Sequence, residues 1–134
     1  MADRSALEQR WNALWSRIEQ GRGPPGPGPP PPAFAPIAAA YGAPGRHYHT
    51  LDHLAHCFAE LDAAVAAGLT HNPVALELAV WFHDLVYDPA AGDNEQRSAR
   101  AAAAAINAFG GPHVDAVTRL IICTKHDRPP PTPG

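Results

Sequence analysis

His83 and Asp84 stand side by side within the run Pro73-Val-Ala-Leu-Glu-Leu-Ala-Val-Trp-Phe-His-Asp-Leu-Val-Tyr87. At roughly 100° per residue, the Leu, Val, Trp and Phe side chains of this run point in nearly every direction, the pattern of a central buried helix. An imidazole and a carboxylate in its middle would each lose hydration at considerable cost unless something compensates. A divalent cation compensates both, because a neutral His nitrogen and an Asp oxygen are ordinary metal ligands. The plain alternative is a hydrogen-bonded His and a carboxylate near the helix end, capped by local backbone.

A second chemical cluster is Arg46-His47-Tyr48-His49-Thr50-Leu51-Asp52-His53-Leu54-Ala55-His56. On a helical wheel His49, His53, His56 and Glu60 share a stripe opposite the Leu/Phe stripe. Imidazoles at i and i+4 can share one metal, as in helical zinc sites. A solvated polar face has the same spacing, and distance from the aliphatic stripe favours that reading for His53 and His56. His49 differs, because a side chain at the helix entrance can reach into a cleft. The glutamate of a His-Glu-x-x-His motif is missing, which argues against zincin chemistry.

Two further stretches carry polar chemistry. In Asp93-Asn94-Glu95-Gln96-Arg97-Ser98, Asp93 or Asn94 suits a helix N-cap and an acidic first turn suits the helix dipole. Capping leaves Glu95 partly unexplained and does not require Arg97 or Ser98. In Thr124-Lys125-His126-Asp127, a histidine at a helix C-terminus is favourable to the dipole and says little alone.

The elements that must position these groups read as helices. Residues 5–20 form a first one, with Ser5 and Glu8 at capping-box spacing and Leu7, Trp11, Leu14, Trp15 and Ile18 as its apolar stripe. The Pro/Gly-rich stretch at 21–33 can form neither helix nor central strand and reads as a semi-extended surface loop. A short helix over 35–41 carries Phe34, Ile37 and Tyr41 to one side. A long one starts near Thr50 and stops at Gly68, with Leu51, Leu54, Phe58, Leu61 and Val65 as its stripe. Asn72-Pro73 caps and opens the central helix, which Asp88-Pro89 ends after Tyr87. An Ala-rich helix over 94–109 closes at Gly110-Gly111, and a last helix over 113–126 carries Val114, Val117, Leu120 and Ile121. No period-2 alternation appears, so the chain reads as one all-α domain over 1–134.

Composition narrows the function classes. The chain has 134 residues, enough for one domain with a real core. Its 10 basic and 13 acidic residues leave a formal charge of −3 with no basic run, so no nucleic-acid footprint is indicated. There is no signal-like apolar segment and no run long enough to span a membrane. Cys57 and Cys123 make no CxxC spacing and read as reduced, buried thiols of a cytoplasmic protein.

Taken in order, Arg46-His-Tyr-His49-Thr-Leu-Asp-His53-Leu, Trp81-Phe-His83-Asp84-Leu-Val-Tyr-Asp88, Asp93-Asn-Glu95-Gln-Arg-Ser98-Ala and Leu120-Ile-Ile-Cys-Thr124-Lys-His126 resemble the predicted metal-dependent phosphohydrolases of the HD superfamily, in its small bacterial branch. That branch also has an N-terminal Trp-x-x-Leu helix like Trp11 to Leu14. The resemblance runs from about residue 7 to residue 126 and implies an HD-domain-like helical bundle holding one divalent metal ion, Mn²⁺, Mg²⁺, Fe²⁺ or Zn²⁺.

By the same resemblance His49, His83 and Asp84 bind the metal, with His53 the rival for the first position. Asp84 or Glu95 accepts a proton from water, and Arg46 and Arg97 hold phosphate oxygens. His126 serves as an outer or second-metal group. The implied substrate is a nucleotide or another small phosphoester. The departure is the family's final Asp, normally on a further helix. Here the sequence continues as Asp127-Arg-Pro-Pro-Pro-Thr-Pro-Gly134, which predicts a bundle incomplete at its C-terminus and an impaired activity. The alternative is a catalytically silent HD-like module that binds a metabolite or partner, and exposed apolar surface would favour a homodimer. A two-iron oxygenase would need more ligands than one His-Asp block supplies.

Overall fold

The computed structural model describes residues 3–22, 30–43, 50–70, 72–88, 90–111 and 113–123. Among them are six helices and no strand: α1 (Arg4–Arg22), α2 (Phe34–Tyr41), α3 (Leu51–Ala66), α4 (Pro73–Phe82), α5 (Asn94–Phe109) and α6 (Val114–Ile122). The all-α reading is therefore the observed fold class.

Each start has a local cause. Asp3, rather than the expected Ser5, caps α1: its Oδ1 accepts from the N–H groups of Ser5 (3.0 Å) and Ala6 (3.2 Å), so the cap stands two residues earlier than the capping-box spacing indicated. Thr50 caps α3 by accepting from the His53 N–H at 3.4 Å. Asn72 caps α4 through the Ala75 N–H at 3.1 Å, with Pro73 in the first turn. At the far end of α5, Gly110 takes a left-handed conformation (φ 79°) and the Gly111 N–H returns to the Ile106 carbonyl at 2.9 Å, a Schellman stop. A Cβ on Gly111 would lie 3.3 Å from methyl groups of both Ile18 and Ile106, so this stop also lets α1 approach.

Helix α4 packs against α1, α3, α5 and α6, which explains why its sequence is apolar on nearly every side. Trp81, with no exposed surface, meets Trp11 edge-on at 5.0 Å, Phe34 at 6.0 Å and Phe58 at 4.7 Å between ring centroids. Trp15 and Phe109 join α1 to α5 at 5.1 Å. The Trp11 indole N–H donates to the Pro32 carbonyl at 2.7 Å, tying the chain before α2 to the core.

One charged residue of α4 is buried as well. Glu77 is 4% exposed and faces Arg10 Nε (3.2 Å) and Arg17 Nη1 (3.4 Å). Arg10 also forks onto Asp62 at 2.8 and 3.0 Å and lies over the Phe58 ring. Burial works against its charge, but the Asp62 hydrogen bond and the Glu77 and Asp62 charges outweigh it and raise the Arg10 pKa. Arg10 thus joins α1, α3 and α4 through one side chain.

Three expected ends move. Helix α1 runs on through Gly21 to Arg22, so the expected loop at 21–33 loses its first two residues to the helix. The central helix stops at Phe82 rather than Tyr87, which places His83 at its C-cap and Asp84 in the following turn rather than mid-helix. The last helix ends at Ile122, and Cys123, expected to be buried, is exposed. No helix among the described residues is long and apolar enough to cross a membrane.

Candidate metal centre

The end of α4 is built by side chains that take over its backbone hydrogen bonds. In a continuing helix the Asp84 N–H would bond the Val80 carbonyl. That oxygen instead accepts from His83 Nδ1 at 2.7 Å, and the Asp84 N–H donates to the Tyr41 hydroxyl oxygen at 3.3 Å. Tyr41, fully buried, donates in turn to the Trp81 carbonyl at 2.8 Å. The next loop is clamped from α5. The Val86 N–H donates to Ser98 Oγ at 3.0 Å, and Asn94 accepts from the Asp88 N–H (3.0 Å) while donating to the Asp88 carbonyl (2.9 Å). Asn94 and Ser98 therefore hold the turn that follows His83-Asp84. Asp93 occupies the N-cap position of α5 without a side-chain cap bond.

Those bonds orient the ring of His83. A carbonyl can only accept, so Nδ1 carries a proton and Nε2 is left to face the site. Nε2 lies 3.0 Å from Asp84 Oδ2, and both side chains are 13% exposed. Burial opposes a charged imidazole here, but the hydrogen bond and charge of Asp84, with the Val80 carbonyl, outweigh it and hold His83 above its ordinary pKa.

Helix α3 supplies the other wall. His53, in its first turn, places Nε2 3.8 Å from Asp84 Oδ2. One turn on, Cys57 Sγ lies 3.6 Å from the same Nε2. One ligand atom each from His53, Cys57 and His83 lie within 4.8 Å of one another, a group able to hold a metal ion. Burial, followed by the charges of Glu60 and Asp84, pushes the Cys57 thiol pKa up. A tetrahedral zinc with ligands at ~2.0–2.3 Å sets two nitrogen or oxygen donors about 3.3 Å apart and a nitrogen and a sulfur about 3.6 Å apart. Within the group the His53–Cys57 separation of 3.6 Å matches the nitrogen–sulfur value, the contacts of His83 to His53 and Cys57 lie within 4.8 Å, and Asp84 Oδ2 lies 3.0 and 3.8 Å from the two imidazoles, so the residues fit such an ion once His83 closes in.

The polar stripe read along α3 divides. His56 is solvated, 71% exposed, and pairs with Glu60 at 3.2 Å. His53, expected on a solvated face, is only partly exposed (37%) and turns its Nε2 to Asp84 at the end of α4. Glu95 sits half-buried in the first turn of α5 and makes no ion pair or hydrogen bond with His53, His83 or Asp84. Arg97 is exposed, with Nη1 3.8 Å from Asp93 one turn back. Arg46, His49, His126 and Asp127 lie outside the described residues.

Cys57 and Tyr41 were missed as site residues by reading motifs. The i, i+4 spacing of His53 and Cys57 was the available signal for the first. For Tyr41, only a contact across 43 residues reveals the role. Compared with known proteins, the chain matches no protein-family model, no curated protein and no solved structure.

Proposed function

We propose that this chain is a metal-dependent phosphohydrolase of the HD type, acting on a nucleotide or another small phosphoester. The observation that carries the reading is the convergence of His53 from α3 and His83-Asp84 from the end of α4, with Asp84 Oδ2 within 3.8 Å of an Nε2 on each histidine. The sequence motifs add support through their order along the chain.

When bound, a divalent cation supplies an acidified water and polarises a phosphoryl oxygen. The chain's own residues do the rest. The Val80 carbonyl holds His83 in the tautomer that presents Nε2. The Tyr41 hydroxyl fixes the backbone of Asp84, so its carboxylate stays beside both imidazoles. In this reading that carboxylate accepts a proton from an attacking water. Arg46 remains the proposed phosphate-binding cation, and His49 a further proposed ligand. Arg97 is the weaker choice for phosphate, since it faces Asp93 at the surface.

The test is hydrolysis of a nucleotide panel by chelator-stripped protein with Mn²⁺ added back, beside the Asp84→Ala variant. The expected result is metal-dependent release of phosphate or nucleoside that the variant lacks. Uptake of metal with no turnover of any panel member would favour the silent binding module instead.

A further inference from the structure

Cys57 belongs to no motif that suggested the site, yet it stands among its donors. His53 and Cys57 are four residues apart on α3 and so project from one face of the helix. Their ligand atoms are 3.6 Å apart, the separation expected of a nitrogen and a sulfur sharing a tetrahedral ion. His83 closes the triangle from the end of α4. Two helices therefore bring two imidazoles and one thiol to a common point, and Asp84 borders it at 3.0 and 3.8 Å from the two rings.

We propose that Cys57 is a ligand of the metal at this site, making it a His53/Cys57/His83 centre selective for a thiophilic divalent cation, Zn²⁺ in the first place, over Mg²⁺. This rests on the metal-site reading above but does not require that the reaction be phosphoester hydrolysis. The chemistry follows from ligand softness: a thiolate binds zinc well and magnesium poorly, because Mg²⁺ prefers oxygen donors in octahedral geometry. These three ligands leave the fourth position of a tetrahedral ion to Asp84, to the proposed ligand His49 or to a water.

Cobalt(II) is the probe, since it replaces zinc and absorbs light in a ligand-dependent way. The full-length chain is stripped with chelator and titrated with Co²⁺, alone and against competing Zn²⁺ or Mg²⁺. The wild type and Cys123→Ser should develop intense near-ultraviolet thiolate-to-cobalt absorption together with visible bands. Zn²⁺ should erase both, and Mg²⁺ in large excess should not. Cys57→Ser should lose the near-ultraviolet band and bind Co²⁺ at least about tenfold more weakly, given that even outer-shell changes cost that much.

A second measurement needs no variant: bound Zn²⁺ should protect Cys57, and not the exposed Cys123, from alkylation read by peptide mass spectrometry. Visible cobalt bands without the near-ultraviolet absorption, or equal alkylation of Cys57 with and without Zn²⁺, would overturn the role of Cys57 and leave the metal site standing. No cobalt uptake by the wild type would overturn both.

Discussion

Between His83 and Val80 a side chain has replaced a backbone hydrogen bond. The His83 ring donates from Nδ1 to the Val80 carbonyl at 2.7 Å, the oxygen that the Asp84 N–H would have taken had α4 continued. One bond thereby ends the helix, sets the tautomer of the ring and frees the Asp84 N–H for Tyr41. Helix termination and site construction are here the same event.

Metal should stabilise the fold through these groups. A cation that binds only the folded chain at 100 times its dissociation constant contributes about 2.7 kcal/mol. Thermal unfolding of chelator-stripped protein with and without Mn²⁺ or Zn²⁺ should show a rise in Tm. His83→Ala and Asp84→Ala should abolish the rise, and His56→Ala, at a solvated position paired with Glu60, should keep most of it. An equal loss in all three variants would count against the site as drawn.

Tyr41→Phe should act on both stability and metal retention. The hydroxyl serves two backbone groups in a buried position, and removing it leaves the Trp81 carbonyl and the Asp84 N–H to find other partners. A cost of about 1–3 kcal/mol is expected, with metal affinity falling by about 10–100-fold as the Asp84 backbone loosens. Denaturant unfolding and metal titration of the variant measure the two effects separately. A variant that loses stability but holds metal as tightly as the wild type would limit Tyr41 to the core.

Arg10→Ala tests the buried carboxylate. Without Arg10, Glu77 keeps the contact to Arg17, 3.4 Å to a side chain that is half exposed. Stranding one member of a buried pair costs about 3–5 kcal/mol, and the remaining Arg17 should keep the loss near the lower figure. At roughly 4 °C per kcal/mol for a chain of this size, the Tm should fall by about 10 °C or more. Glu77→Gln should recover part of that loss in the double variant, and a double variant no more stable than Arg10→Ala would show that packing over Phe58, rather than charge, is what Arg10 contributes.

Asp62 gives a pH dependence of defined sign. The hydrogen bond from Arg10 holds the carboxyl below its ordinary pKa of 3.8, against an opposing effect of burial and with the Arg10 charge adding to it. A depressed folded-state pKa contributes stability that is present above about 3.8 and is lost as pH falls through the lower folded value. Asp62 is 61% exposed, so the contribution is small. Wild type and Asp62→Asn should therefore melt slightly apart at pH 7 and converge in acid. A gap that widens on acidification would contradict the assignment.

Local pattern alone made much of this molecule legible. The 3.6-residue repeat of Leu7, Trp11, Leu14, Trp15 and Ile18 marked α1, and Asn72-Pro73 and Gly110-Gly111 marked helix ends, because caps and periodicity are properties of neighbouring residues. The apolar surround of 73–82 announced the helix against which α1, α3, α5 and α6 pack. The rest was decided by which groups meet across the fold. His53 and His56 are near neighbours on one polar stripe in the sequence, yet one faces Asp84 and the other water, because the end of α4 lies beside only one edge of α3. The helix predicted to reach Tyr87 stops at Phe82 because the His83 ring takes the Val80 carbonyl while acceptors on Tyr41, Ser98 and Asn94 take the N–H groups of Asp84, Val86 and Asp88, and the distance of those acceptors in sequence hides them from any local pattern. Cys57 enters the centre, and Glu77 finds its arginines, for the same reason: helical spacing sets the direction in which a side chain leaves its own helix, and packing decides what it meets there.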